Sequence, residues 1–232
     1  MIARRATMIA IVALSLAASS SARGEPSSLA HSSAPLLSAD ALGHKHIAAS
    51  VGGGLALMVP SAGLDLAIGA GSRVDLALHY RTYLGFVHSF GYETKVRLYR
   101  RGRFALAARL EAAYAFWVTD LVLDLRSEDL PVGNGLTATL GARASVTVRR
   151  RVRLSFDLSL TLDVLSVVEV AYNQHEVQGD GRPRAINAGI AAQWMRPSGA
   201  GFFMRLTAVV PLRGVYLLGF TPLYELGWSF SL

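Results

Sequence analysis

Residues 152–163 read VRLSFDLSLTLD, and apolar and polar side chains alternate along them without a break. The apolar members are Val152, Leu154, Phe156, Leu158, Leu160 and Leu162, and between them stand Arg153, Ser155, Asp157, Ser159, Thr161 and Asp163. Because successive side chains of a β-strand point to opposite faces, this stretch predicts a strand with one apolar and one charged face. Its length also suffices for a tilted strand that crosses a bilayer, which needs about 9 to 11 residues.

The same alternation recurs in nine other segments of the chain. They are residues 46–59, 63–70, 73–82, 88–99, 103–116, 135–148, 185–196, 201–210 and 223–232. Since every backbone amide in lipid must be paired, strands that cross a membrane have to close into a ring. The segments therefore predict a closed antiparallel transmembrane β-barrel of ten strands, or of eight if the glycine-rich first hairpin stays outside the membrane.

The N-terminal region has the composition of a secretory leader. Arg4 and Arg5 precede an apolar stretch of about 13 residues, too short for a helical span of about 20, and small residues follow up to Ala22. Residues 1–22 are therefore predicted to be a signal peptide. Residues 23–45 are rich in Ser and Ala and have no periodicity, which predicts a flexible periplasmic linker before the barrel of residues 46–232.

Composition excludes several classes of protein. Charged residues make up 17% of the chain and are scattered through nearly every segment, which argues against a bundle of apolar transmembrane helices. The chain has no cysteine, so it has neither disulfides nor a thiolate metal site. The net charge of +7 is concentrated near residues 100 and 150, but no recognition helix or stacking motif accompanies these arginines. We therefore expect no nucleic-acid partner, no metal and no cofactor.

At this point the chain resembles the small β-barrel proteins of the bacterial outer membrane. The resemblance rests on the leader, on the alternating strands and on the C-terminal end, and it covers residues 46–232. The end is similar to the assembly signal of outer-membrane proteins, although the last residue is leucine; its apolar members are Tyr224, Leu226, Trp228, Phe230 and Leu232. The resemblance implies an outer-membrane location in a Gram-negative cell envelope, with membrane lipids and the barrel-assembly machinery as partners.

The polar face of the strands predicts a charged lumen. Ten bases face inward, namely Arg73, Arg81, Lys95, Arg97, Arg103, Arg109, Arg143, Arg149, Arg153 and Arg205, together with seven acids, namely Asp65, Asp75, Glu93, Glu111, Asp157, Asp163 and Glu225. Ten strands enclose far less space than the sixteen or so of an open porin. Because an unpaired buried ion is costly, these charges predict a paired network in a plugged or narrow lumen.

The expected function is a structural or surface-interaction role without enzymatic activity; the surface ligand is left open. The surplus of three bases leaves a narrow, porin-like passage for small anions as the alternative. Two classes of barrel hydrolase are further alternatives. An omptin-type protease needs paired Asp and Asp-His residues at the outer rim, whereas Asp120, Asp124 and His175 lie in loops. A lipid A deacylase needs His and Ser on one face, whereas His88 and Ser89 are adjacent and point apart.

Two long connections are interpreted as ordinary solvated loops. The first, around residues 120–129, is acidic but has no regular spacing of metal ligands. In the second, residues 164–184, the apolar residues up to Tyr172 would also permit a β-hairpin with an adhesive edge. The turn sequence at residues 179–181 favours a mobile loop.

Overall fold

The computed structural model describes residues 37–56, 59–83, 87–117, 133–149, 151–170, 174–178, 181–196, 200–212 and 221–231. These residues form strands and their short connections. In chain order the strands are β1 (Ile47–Ala56), β2 (Val59–Gly69), β3 (Val74–Tyr83), β4 (Val87–Arg101), β5 (Phe104–Trp117), β6 (Gly133–Arg149), β7 (Val152–Val170), β8 (Gln174–Gln178), β9 (Pro183–Met195), β10 (Gly201–Pro211) and β11 (Thr221–Ser231).

Ten of these strands close into a ring. Each neighbouring pair is antiparallel, β1 pairs with both β2 and β11, and β7 pairs with both β6 and β9. The prediction of a ten-stranded antiparallel barrel is therefore confirmed, and the glycine-rich first hairpin belongs to the wall rather than lying outside it. Among the described residues, no helix has the length and apolar character needed to cross a bilayer.

The two faces of the wall differ as the alternation predicts. On β7 the outward Leu158 is 61% exposed, whereas the inward Ser155 is 2% exposed. Exposed apolar side chains of this kind cover the outside of every strand in the ring. A continuous apolar surface of this extent is far larger than the patches that soluble monomers expose, so its solvent is lipid.

Aromatic rings gather at both ends of the apolar face. At the end with long connections, Tyr80, Phe90, Tyr114 and Phe116 form a chain of ring contacts across β3, β4 and β5. At the end with short turns, Trp194, Phe202 and Trp228 do the same across β9, β10 and β11. These are the positions of the two interfacial girdles of a membrane barrel.

A β-bulge changes the face of two residues near the end of β4. The pairing of β4 with β5 skips from Arg97 to Tyr99, so Leu98 is the extra residue of the bulge. Strict alternation predicts that Tyr99 faces the lumen, and this is wrong: Leu98 and Tyr99 are both exposed on the outer face. Because the bulge adds one residue, the side chain of Arg100 turns inward beside that of Arg97.

The interpretation of residues 164–184 as an ordinary loop is wrong for most of that segment. β7 continues to Val170 and pairs with β8 on one side and with the first residues of β6 on the other. The ladder thus extends beyond the barrel at the long-connection end, and β8 is an edge strand there. The run of β-branched residues in this segment prevails over its turn residues.

The last residues of the predicted linker also differ from expectation. Residues 37–42, which we call the plug segment, lie inside the barrel, where all but Asp40 are buried. Gly43, with a φ of 91°, then turns the chain toward β1. The plug segment is buried because its backbone and its one charge find partners on the inner wall. The predicted signal peptide and residues 23–36 of the predicted linker lie outside the described residues.

Candidate functional site

The centre of the lumen contains a network of ion pairs that begins on the β1–β2–β3 side. Arg81 on β3 contacts Asp65 on β2, and its other nitrogen lies 3.6 Å from Glu225 on β11. Arg205 on β10 also contacts Glu225. The hydroxyl of Ser50 on β1 donates to Asp65 at 2.7 Å. This half of the network therefore joins five neighbouring strands.

His79 links this half of the network to the other half. Its Nδ1 atom lies 2.9 Å from the Asp65 carboxylate, and its Nε2 atom lies 3.6 Å from the carboxylate of Glu93 on β4. Glu93 is in turn contacted by Arg109 on β5. A single histidine thus lies between two carboxylates that belong to strands on either side of it.

The network continues across the lumen to β6 and β7. Arg109 lies 3.1 Å from Glu111 on its own strand and 3.4 Å from Asp157 on β7. Arg143, only 1% exposed, lies directly opposite Asp157 in the β6–β7 register and donates to it at 2.6 Å. These side chains leave the centre of the lumen filled by paired charges rather than by open water.

The plug segment lies across the short-turn end of the lumen. Leu37 packs with Ala191 and Phe203, at the β9–β10 side of the wall. Ala39 packs against β5, and Leu42 packs against small residues of β1, β2 and β3 on the far side. The segment therefore crosses the barrel from one wall to the other.

Hydrogen bonds fix the backbone of the plug segment. The ammonium of Lys95 donates to the carbonyl oxygens of Ser38 and Asp40 at 2.9 and 2.8 Å, and it lies 2.9 Å from the Asp75 carboxylate. Asp75 also accepts a hydrogen bond from the backbone nitrogen of Leu42 at 2.9 Å. Lys95 thus uses its three donors on buried acceptors, which satisfies an ion that burial would otherwise penalise.

The Asp40 carboxylate lies among three arginines of the inner wall. It is 3.7 Å from Arg97, 3.4 Å from Arg100 and 3.5 Å from Arg153. The first two belong to β4, where the bulge brings Arg100 to the inner face beside Arg97, and the third belongs to β7. We call the short-turn end of the lumen its mouth, and Arg97, Arg100 and Arg153 the mouth arginines.

Space remains in the upper lumen, on the side away from the plug segment. A cavity of about 50 Å³ is lined by Arg81, Arg205 and Glu225 together with Tyr83 and small residues of β1 and β2. It has room for a few waters, each of which needs about 10 to 15 Å³.

The structure separates the predicted lumen charges into two sets. Arg73, Arg103 and Arg149 are exposed at the short turns. Asp163 pairs with Arg184 in a half-exposed position near the long-connection end. The remaining predicted residues lie within the network or near the plug segment; they are Asp65, Asp75, Arg81, Glu93, Lys95, Arg97, Arg109, Glu111, Arg143, Arg153, Asp157, Arg205 and Glu225.

Three residues of the site were missed by sequence reasoning. Asp40 lies in the predicted linker, Arg100 lies beyond the end of its predicted strand, and His79 belongs to the predicted strand of residues 73–82 but not to the predicted set of lumen charges. Apart from Glu25, Asp40 is the one acid between the leader and β1, and that isolation in an uncharged stretch is the available signal. Arg100 has no such signal, since its direction depends on the bulge.

The geometry of the polar groups bears on the hydrolase alternatives. Ser50, Asp65 and His79 lie together, but the hydroxyl donates to the carboxylate and not to the imidazole, unlike an activated serine. The Nδ1 atom of His88 lies 2.8 Å from the Tyr80 hydroxyl, and the His88 ring stacks in the outer aromatic girdle. Asp120, Asp124 and the acidic connection lie outside the described residues. Within those residues, no group of three or more potential metal ligands occurs.

The predicted assembly signal occupies the last strand. Tyr224, Leu226, Trp228 and Phe230 are all exposed on the outer face of β11. The guanidinium of Arg196 lies 5.9 Å from the centre of the Trp228 ring, in a cation–π contact near the short-turn end. Leu232 lies outside the described residues.

No protein-family model and no curated protein matches the chain. Solved structures do resemble it. The NanC porin is 11% identical, with a TM-score of 0.45 over 79% of this chain and 100% of that chain. The KdgM porin is 7% identical, with a TM-score of 0.44 over 80% of this chain and 99% of that one. The translocator domain of the autotransporter NalP from Neisseria meningitidis is 11% identical, with a TM-score of 0.37 over 80% and 86%.

The wall of the molecule defines its class. A closed antiparallel ring with an apolar belt outside, aromatic girdles at both ends and ion pairs inside is the architecture of bacterial outer-membrane β-barrels. The chain is an outer-membrane β-barrel protein, and lipids of that membrane surround it. The short turns and the plug segment then lie on the periplasmic side.

Proposed function

We propose that the protein is a closed outer-membrane barrel with a structural or surface-interaction role, and not a channel or an enzyme. The observation that carries the proposal is the plug segment, which crosses the periplasmic mouth from Leu37 to Leu42 and is held there by Lys95 and Asp75. A solute that entered from either side would meet this segment or the ion network behind it.

The ion network supports the same proposal. Arg143 and Glu93 are fully buried, and each contacts an oppositely charged partner on a neighbouring strand. Breaking a buried pair of this kind costs about 3 to 5 kcal/mol, because it leaves an uncompensated charge. A solute that passed through the centre of the lumen would have to separate such pairs. The same pairs connect strands around the ring and thereby stabilise the wall.

Passage of small anions is the competing function. The sequence suggests this function through the surplus of three bases among the predicted inward residues. Three of those bases are Arg73, Arg103 and Arg149, which are exposed at the turns. Without these three and without the half-exposed pair of Asp163 with Arg184, the ion-paired side chains inside the lumen are eight Lys and Arg residues, Arg100 included, and seven acids, Asp40 included. The surplus of bases thus falls from three to one and gives little support to an anion path.

A conductance measurement tests the proposal. Purified mature protein is refolded, inserted into planar bilayers and held at both signs of potential, with an open porin as the positive control. We expect no stable single-channel steps from the mature protein. Steps of uniform size that scale with the number of inserted barrels would overturn the proposal. A variant without residues 37–42 separates the contribution of the plug segment from that of the ion network.

The surface half of the proposal concerns the ladder of β7 and β8 above the membrane. Among the described residues, β8 pairs along one edge only, with β7, and an open strand edge accepts a further strand from an extended peptide. We expect that replacing residues 171–181 by a short glycine-serine linker removes surface binding and leaves the barrel folded. Unchanged adhesion of cells that display this variant would contradict a role for the edge.

A further inference from the structure

We propose that the mouth arginines form an oxyanion site, that Asp40 occupies this site as a tethered carboxylate, and that a free multivalent oxyanion such as inorganic phosphate competes with it. The inference depends on the same placement of the plug segment as the proposed function. Its tests measure binding and accessibility instead of conductance, so the two can fail separately.

The arrangement of donors is the first argument. Guanidinium groups of Arg97, Arg100 and Arg153 approach a single carboxylate from two strands on different sides of the mouth. Planar guanidinium groups present several N–H donors each, and clusters of them are the usual protein ligands of phosphate and sulfate oxygens. Three such groups around one point therefore form a site for an anion with several oxygens.

The charge of the mouth is the second argument. Among the residues that the structure describes, the acids there are Asp40 and Asp75, whereas Lys95 and the mouth arginines are four bases. The mouth therefore keeps a surplus of two positive charges when Asp40 is bound. The carboxylate contributes one negative charge, while a phosphate group carries about 1.5 to 2 near neutral pH. The more highly charged ion compensates the mouth arginines better.

The fit of Asp40 is the third argument. Its distances to the mouth arginines are 3.4 to 3.7 Å, longer than the roughly 2.7 to 2.9 Å of a good charge-assisted hydrogen bond. Its Oδ1 atom is shielded from solvent and accepts no hydrogen bond from the described residues. The site is thus larger than the carboxylate that occupies it, and a tetrahedral oxyanion would reach more of its donors.

The position of the site determines the source of the ligand. The side chain of Arg153 is 7% exposed and that of Arg100 is 26% exposed, and both face the lumen. Lipid headgroups surround the outside of the wall and do not reach this inner surface. Periplasmic water does reach it through the partly open mouth. The ligand is therefore a soluble oxyanion from the periplasmic side.

Calorimetric titration with inorganic phosphate is the first test, using the refolded mature protein in a maltoside detergent. In the wild type, Asp40 lowers the apparent affinity, since phosphate binds only the fraction of molecules whose site is vacant. We expect Asp40→Asn to tighten phosphate binding by at least about tenfold, which corresponds to a site that Asp40 fills in nine molecules of ten. Equal affinity in the two proteins, or no saturable binding in either, would overturn the proposal.

Two further variants make this test specific. Asp40→Asn combined with Arg153→Gln removes one mouth arginine and should abolish the gain, whereas Asp40→Asn combined with Arg103→Gln changes an exposed turn arginine and should keep it. The heat-modifiable band shift on unboiled gels shows that each variant is folded. A gain that survives Arg153→Gln would assign the phosphate to another site.

Thiol accessibility is the second test, and the chain suits it because it contains no cysteine. Ala39→Cys places a thiol at a fully buried position of the plug segment, and Ser72→Cys places one at an exposed turn on the same side as a control. Ala41→Cys is the substitute if Ala39→Cys does not fold. We expect phosphate to raise the labelling rate at residue 39 at least threefold without changing the rate at residue 72.

Two control conditions identify what displaces the segment. Sodium chloride at the same ionic strength should leave labelling at residue 39 unchanged, and an equal effect would mean that simple screening releases the segment. Bilayer nanodiscs of phosphatidylglycerol, without phosphate, should also leave it unchanged. Labelling induced by that lipid would overturn the assignment to a soluble oxyanion.

Discussion

Replacing Asp157 by leucine should destabilise the barrel strongly, because this carboxylate compensates two buried guanidinium groups at the centre of the lumen. Arg143 donates to it at 2.6 Å and Arg109 lies 3.4 Å away. After the substitution Arg109 keeps its contact with Glu93, but Arg143 loses the one carboxylate that it contacts directly among the described residues.

The size of the effect follows from burial. Arg143 is 1% exposed and Asp157 is 12% exposed, so the pair counts as buried. Removing one member of a buried pair costs about 3 to 5 kcal/mol. Since a cavity with room for water lies elsewhere in the same lumen, we expect a value near the lower end, about 3 kcal/mol. Removing both charges, in Arg143→Leu with Asp157→Leu, should restore most of the stability, because no buried charge then lacks a partner.

Unfolding by guanidinium in lipid vesicles, followed by tryptophan fluorescence, measures these differences. Asp163→Leu is the matched control: it lies on the same strand and the same face, but its pair with Arg184 is 32% and 47% exposed. We expect this control to cost less than about 1 kcal/mol. The reasoning is refuted if Asp157→Leu costs no more than the control, or if the double variant loses as much as the two single variants together.

Three further predictions concern packing and the outer face. Gly227→Ala should lower the free energy of unfolding by about 1 to 3 kcal/mol, because an added Cβ would lie 2.4 Å from a carbonyl oxygen of β1. The control Gly71→Ala should lower it by less than about 0.5 kcal/mol, because an added Cβ there meets no atom within 4 Å. Chemical unfolding distinguishes the two variants. Phe203→Ala should lower the free energy of unfolding by about 3 to 5 kcal/mol, since the ring is 1% exposed and packs against Leu37 of the plug segment. In the same unfolding assay, a loss below about 1 kcal/mol would show that the ring does not pack there. His88→Ala should leave lipid A acylation unchanged in mass spectra, since Ser89 lies across the strand from it; a loss of deacylated lipid A would restore the hydrolase alternative.

The wall of the barrel was predictable from the sequence for a physical reason. A strand of the wall has lipid on one side and a polar lumen on the other, and each side chain faces only one of the two. The alternation in residues 152–163 therefore encodes the face of every side chain. The closed ring then follows from the need to pair all backbone amides. The strand number, the turns and the outer aromatic residues could therefore be inferred without any knowledge of distant contacts.

The plug segment and the bulge could not be inferred in this way. The position of Asp40 depends on mouth arginines that lie 57 to 113 residues further along the chain. No local periodicity in residues 37–42 indicates such contacts. The inward direction of Arg100 depends on one extra residue, Leu98, which local alternation does not reveal. The sequence allows the β7–β8 hairpin only as the less favoured alternative, because the Gly-Asp-Gly turn at residues 179–181, which follows β8, favours a loop.

The most direct test of a lipid-facing and lumen-facing wall is a scan of single-cysteine nitroxide labels along residues 152–163 in bilayers. The chain has no native cysteine, so each label reports one position. Collision rates with oxygen, which concentrates in lipid, should peak at the even positions from Leu154 to Leu162 and fall at the odd ones. Rates without a two-residue period, or with maxima at Ser155, Asp157 and Ser159, would contradict the fold and everything inferred from it.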